Sequence, residues 1–280
     1  MTVSKKKSKK QKTPSWAIEP FKQFLSRTER LNDVLYLSMR GISGLQGMPK
    51  IVQVIAEIEE TVEHKDTQKE LEHANKCAEL AKNEIKTGFP LLHAQATVNL
   101  WTLLEALFYS FLCNWLKNKQ DSLLNDPIQK LRIRVGEYER LEKEERISYI
   151  VELLDKELGA GLRRGINRFE ALLEPFGLSG SVPDWVQQSI YELAQVRNAI
   201  VHRFAVADRQ LVDSCPWLGL KTGDEVVVTH EMFIKYTEAT HHYVTELICR
   251  IAEKHGVDMS RSRAVLAKSR KNGKNELPNY

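Results

Sequence analysis

Paired cysteines are missing from this chain. Its four cysteines, Cys77, Cys113, Cys215 and Cys249, are widely spaced and form no Cys-x-x-Cys pair. Neither a disulfide framework nor a zinc ribbon is therefore expected. Three of them fall in helical patterns and read as small core residues, which fits a reducing, cytoplasmic setting. The Gly41–Gly47 stretch has no Gly-Lys-Ser/Thr ending, so it is not a phosphate loop. His230-Glu231 lacks the second histidine of a metalloprotease helix. His241 and His242 are adjacent, point to different sides of a helix and make no metal clamp, while His64 and His73 sit in a highly charged pattern and read as surface residues. No carboxylate cluster with two-metal spacing stands out, so neither a metal nor another cofactor is expected. Met1 is followed by lysines rather than by an apolar stretch, and no secretory signal is expected. There is no internal repeat and no alternation of strand and helix patterns, which argues against a parallel sheet.

What is present is the composition of a globular protein with a sizeable core, 42% hydrophobic and 28% charged over 280 residues. The charge is unevenly placed. Residues 1–12 carry six lysines and no acid, and residues 261–280 carry six Lys or Arg and one Glu; against a net +4, these ends leave residues 13–260 at −7. Basic tails of this kind are expected to be disordered. They can hold nucleic acid through phosphate contacts, or serve only as solvated ends.

Between the tails the periodicity is helical. Residues 16–40 read as a helix that breaks at Gly41–Pro49, and 51–86 as a long pattern with a break near His64–Asp66. Gly88-Phe89-Pro90 opens a bundle with a helix over 91–117. That helix is long enough to span a membrane, but Asn99, Glu105 and Asn114 make a buried core helix the better reading, and no membrane association is expected. Asp126-Pro127 reads as a helix start. Helices are then expected over 137–158 and 162–176. Arg163, Arg164 and Arg168 on the latter are weak candidates for RNA contact, a solvated face being the alternative. Pro183 opens a further helix, Glu225–Thr229 is a short β-prone run, and a last helix covers 231–254. The fold class is all-α: an N-terminal helical region over 15–88, a bundle over 89–257, and basic tails at 1–14 and 258–280.

The helix after Pro183 ends in Arg197-Asn198-Ala199-Ile200-Val201-His202. Arginine is a fixed cation with a planar donor fork that matches phosphate oxygens, and histidine most easily moves a proton near neutral pH. Val186, Ile190, Leu193 and Arg197 share one face. His202, five residues on, lies about 140° around an ideal helix axis. Either the helix distorts after Arg197, with Asn198 competing for backbone bonds, or a second chain completes the site. Glu105 shares a core face with Trp101, Phe108 and Leu112, where a carboxylate needs a partner; Arg197 is the natural one, as an active-site or a purely structural pair.

Arg-(polar)-x-x-x-His near the end of a bundle helix, with a tryptophan-bearing helix and embedded acid upstream, resembles the signature of HEPN domains. The resemblance covers residues 89–255. It implies a HEPN-like helical bundle in which Arg197, Asn198 and His202 of two protomers form a metal-independent endoribonuclease site supported by Glu105. It further implies RNA as substrate, a homodimer, and a toxin or anti-phage setting with an antitoxin or other defence partner. Antitoxin control through a tyrosine two residues after the histidine is not expected, since Phe204 stands there. The alternatives are a non-catalytic scaffold binding nucleic acid or protein, and a regulated component in which the region before Phe89 is a sensor.

Overall fold

The computed structural model describes residues 12–58, 64–159 and 165–272. Among them every regular element is an α- or 3-10 helix, and the only extended pairing is a single antiparallel bridge between Val206 and Glu225. The α-helices are α1 (Ser15–Gly44), α2 (Met48–Ile58), α3 (His64–Thr87), α4 (Pro90–Asn118), α5 (Val135–Tyr138), α6 (Lys143–Gly159), α7 (Ile166–Leu173), α8 (Asp184–His202), α9 (Arg209–Ser214), α10 (His230–Lys254) and α11 (Ser260–Asn272). An all-α helical bundle with an extended N-terminal helix is therefore what this sequence forms.

Several boundaries differ from the sequence expectation. Gly41 does not stop α1, which ends at Gly44 inside the break read at Gly41–Pro49, and only a one-turn 3-10 segment at Leu45–Gly47 separates it from α2. A glycine inside a helix costs about 1 kcal/mol, which is small beside the packing of that turn and of α2 against α3. Asp126-Pro127 opens no α-helix. The Asp126 carboxylate accepts instead from Lys130 and Gln129, and Asp126-Pro127 lies between short 3-10 turns at Gln120–Leu124 and Ile128–Lys130. The single helix expected over 137–158 is divided into α5 and α6, and the next begins only at Ile166, after Gly165 at φ +60°. The largest correction is at the C-terminus, where α11 takes up residues 260–272 of the disordered tail expected from 258, residues 273–280 lying outside the described residues. Asp258 accepts from the Ser260 amide, and Arg263 reaches both Glu246 and Glu253 of α10, so part of the basic run has an acidic face to lie on. The first eleven residues of the expected N-terminal tail lie outside the described residues.

The chain divides into two compact units that are interleaved rather than sequential. One comprises Met1–Ser26, Leu103–Ala194 and Thr237–Tyr280, the other Arg27–Thr102 and Gln195–Tyr236. The boundary expected at residue 88 is thus not where these units part. In the first, Phe21 meets Phe111 edge-on and Phe108 stacks on Phe169 at 4.1 Å, beside Tyr243. An ionic cluster flanks this core: Arg250 donates to Glu170, which also accepts from the buried Tyr243 hydroxyl. Burial pushes that phenol well above its ordinary range.

The second unit is built on Leu35, Ala74, Ala81, Phe89, Ala96, Leu100, Trp101, Val196, Ala199, Phe233 and Tyr236, all buried. It also holds a histidine pair, one member buried and the other, His230, exposed. His93, with no exposed surface, donates from Nδ1 to the Gly88 and Phe89 carbonyls. Its Nε2 therefore accepts from His230 Nδ1 at 3.2 Å. Burial holds His93 below the usual histidine range. Of the described helices, α4 is long and apolar enough to cross a membrane, and 56% of its most apolar stretch is buried inside the protein.

Candidate active site at the end of α8

The apolar positions of α8, Val186, Ile190, Leu193, Val196 and Ala199, are all buried. Asp184 in the first turn complements the positive end of the helix dipole. Arg197 follows on that face but is only half-buried. Its Nε is enclosed without a hydrogen-bond partner while its terminal nitrogen reaches an exposed neighbourhood, a stem-in, head-out arrangement. Nη1 donates to Asn198 Oδ1 at 3.1 Å and approaches His202 Nε2 at 3.5 Å.

Of the two alternatives, a distorted helix or completion by a second chain, the distortion is absent, since α8 continues unbroken to His202. The arginine side chain is long enough to cover the offset that ideal helix geometry sets between positions 197 and 202. With the guanidinium as donor, His202 Nε2 is the acceptor and the ring proton sits on Nδ1. The two residues thus come together within one chain, the His202 imidazole exposed and the Arg197 side chain half-buried.

The turn that ends α8 is unusual. Phe204 and Ala205 both have left-handed backbones, at φ +54° and +58°. For residues other than glycine this costs about 1–3 kcal/mol each. The turn is held by the Ala199 carbonyl, which accepts from the Arg203 and Ala205 amides, and by two bonds across the bridge, Val226 N–H to Ala205 O and Ala207 N–H to Asp224 O. Arg203 donates to the His202 carbonyl and lies 3.4 Å from Asp208, whose other oxygen caps α9 through the Leu211 amide. The exposed side chain of Phe204 and the cation of Arg203 were not singled out by sequence pattern. The signal available was their position within two residues of the motif histidine.

Glu105, expected as the partner of Arg197, is instead bound by Arg168 at 2.9 Å in the first unit. The same guanidinium makes a two-bond contact with Asp155 at 2.7 and 3.2 Å. Hydrogen bonding to Asp155, more than any other influence, holds Arg168 further toward its charged form. An arginine taken up by two carboxylates is a structural cation, which argues against the RNA contact considered for it. Arg163 and Arg164 lie outside the described residues. Among the described residues, no group of three or more His, Cys, Asp or Glu side chains is placed to hold a metal ion.

Compared with family models, with curated proteins and with solved structures, the chain has no match.

Proposed function

We propose that the chain is a HEPN-type, metal-independent endoribonuclease that cleaves RNA by attack of a 2′-hydroxyl on the adjacent phosphorus. The products are a 2′,3′-cyclic phosphate and a 5′-hydroxyl. The observation that carries the reading is the 3.5 Å approach of Arg197 Nη1 to His202 Nε2 at an exposed helix end. This chemistry needs a base for the 2′-hydroxyl, an acid for the leaving oxygen and positive charge on the phosphorane.

An incoming phosphate competes for the Arg197 fork. When it takes the guanidinium, His202 Nε2 loses its donor and is free to accept the 2′-hydroxyl proton. One neutral imidazole serves as base only, so the acid is a second His202, protonated, brought by a two-fold homodimer. Asn198, hydrogen-bonded to the guanidinium, orients it toward the phosphate. RNA is the substrate because the nucleophile is its own 2′-hydroxyl, and a toxin or anti-phage role is the setting such an activity fits.

The test is incubation of the purified protein with tRNA and total RNA in EDTA, with cleavage ends mapped and mass measured by light scattering. Cleavage by a dimer, abolished in His202→Ala and Arg197→Ala with the fold intact, is the expected result. Cleavage that survives His202→Ala, or that needs added magnesium, would falsify the mechanism. The second reading, a non-catalytic protein-binding scaffold, is favoured by α2, where Ile51, Val54, Ile55 and Ile58 recur at helical spacing and are all exposed.

A further inference from the structure

We propose that Phe204 is a stacking platform for an unpaired RNA base beside the phosphate that Arg197 holds. The identity of the ligand rests on the ribonuclease reading above. Three observations carry the placement.

The first is exposure. Phe204 is 98% exposed, more than any other large hydrophobic residue described, and its flanking apolar residues Val201 and Val206 do not cover it. An aromatic ring left wholly in water forgoes the burial that stabilises nearly every other phenylalanine of this chain.

The second is rigidity. The ring is carried on a left-handed residue followed by a second one, and this turn is fixed by the hydrogen bonds of Ala199, Val226 and Asp224. A surface phenylalanine free to move would lie down on its neighbours. This one is carried outward by its backbone, so presenting it costs no further ordering of the main chain when a ligand arrives.

The third is charge. Arg203 pairs with Asp208 and Arg209 with Asp213, whereas the Arg197 guanidinium is hydrogen-bonded to the neutral side chains of Asn198 and His202. A guanidinium held by neutral groups suits a phosphodiester. Two residues of chain span at most about 7 Å, so Phe204 lies within a nucleotide's reach of His202. Ring stacking accepts any base, because each has a π-face, while the phosphate contact fixes position. The site then selects single-stranded or looped RNA, whose bases are free to stack, over a duplex.

The experiment measures binding of a labelled single-stranded RNA hexamer by fluorescence anisotropy in EDTA, using His202→Ala protein so that the RNA stays intact. It is repeated with Phe204→Ala and Phe204→Trp in that background, and with hexamers abasic at each position in turn. Phe204→Ala should weaken binding roughly 5- to 150-fold, and Phe204→Trp should restore it. One abasic position should cost about as much and have no further effect on Phe204→Ala. Unchanged affinity in Phe204→Ala overturns the proposal. So does a shift from dimer to monomer with RNA affinity retained, which would make the ring a protein contact. The ribonuclease reading fails separately: an active-site-intact protein that binds through Phe204 but never cuts leaves the platform standing without the enzyme. Cleavage indifferent to Phe204→Ala leaves the enzyme without the platform, and a protein that binds no RNA overturns both.

Discussion

Replacing Arg168 by methionine isolates the ionic contact that binds Glu105. The change keeps much of the side-chain volume but strands two carboxylates, Glu105 and Asp155, that now share one guanidinium through contacts of 2.9 and 2.7 Å. The side chains of Arg168, Glu105 and Asp155 are 30%, 33% and 35% exposed. Solvent-exposed ion pairs contribute about 0–1 kcal/mol, and breaking a fully buried one costs about 3–5 kcal/mol. With a third of each group in water, and with Asp155 bound through two nitrogens, the loss should be about 1–2 kcal/mol. Urea unfolding followed by circular dichroism measures it. A double-mutant cycle with Glu105→Gln should return a coupling above about 0.5 kcal/mol, because the glutamine no longer needs a counter-charge. An Arg168→Met protein as stable as the parent, or strict additivity with Glu105→Gln, would refute the assignment of Arg168 as the partner of Glu105. The same reasoning moves a stability penalty away from Arg197→Ala, since Arg197 has its hydrogen-bond partners, Asn198 and His202, on its own helix.

Two further outcomes can be measured on the same instrument. Burial holds His93 below its ordinary range, with His230 and Glu231 of α10 and the Gly88 and Phe89 carbonyls facing it. The unfolded chain therefore takes up a proton near pH 6.5 that the folded chain does not. Stability is at its full value above that pH and falls as pH drops below it, by at most about 1.4 kcal/mol per pH unit for one group. The urea midpoint should decline from pH 7.5 to 5.5, less steeply in His93→Asn; parallel slopes in the two proteins would contradict this. Gly165→Ala should destabilise by about 1–3 kcal/mol, because φ is +60° and the added Cβ would lie 2.9 Å from the Tyr191 Cα; an unchanged melting temperature would be the contrary result.

The helices with long apolar repeats were legible in the sequence to within a residue or two. The spans read as 91–117 and 231–254 are α4 and α10, and the pattern through Val186, Ile190 and Leu193 is α8. Such repeats encode burial directly, and burial decides where a long helix lies. Short-range punctuation was less reliable. The Gly41–Pro49 break was placed rightly, since α1 ends at Gly44, but the chain resumes as α2 already at Met48, packed on α3. The basic run after 258 read as disorder because charge counting does not see Glu246 and Glu253, which hold Arg263 from another helix. Pairings across the chain were the least visible part. His93 meets His230 across 137 residues, and Glu105 meets Arg168 across 63, with nothing local to mark either. The Arg197–His202 approach, which backbone geometry alone assigns to a bent helix or a second chain, is made by the reach of the arginine side chain.

The interleaving of the two units has a consequence for how such a chain can be inherited. Neither unit is a continuous stretch, and α1, α4, α8 and α10 each contribute residues to both. A gene fragment beginning at Phe89 would carry the motif but omit Ala17, Phe21 and Phe24 from one core and Leu35, Ala74 and Ala81 from the other. The motif cannot be passed between proteins as a self-sufficient cassette by cutting at that point, because each core draws residues from the chain upstream of the cut. Recombination within this protein keeps the fold only if it preserves both ends, so the N-terminal helices and the Arg197–His202 site are bound to evolve as one piece.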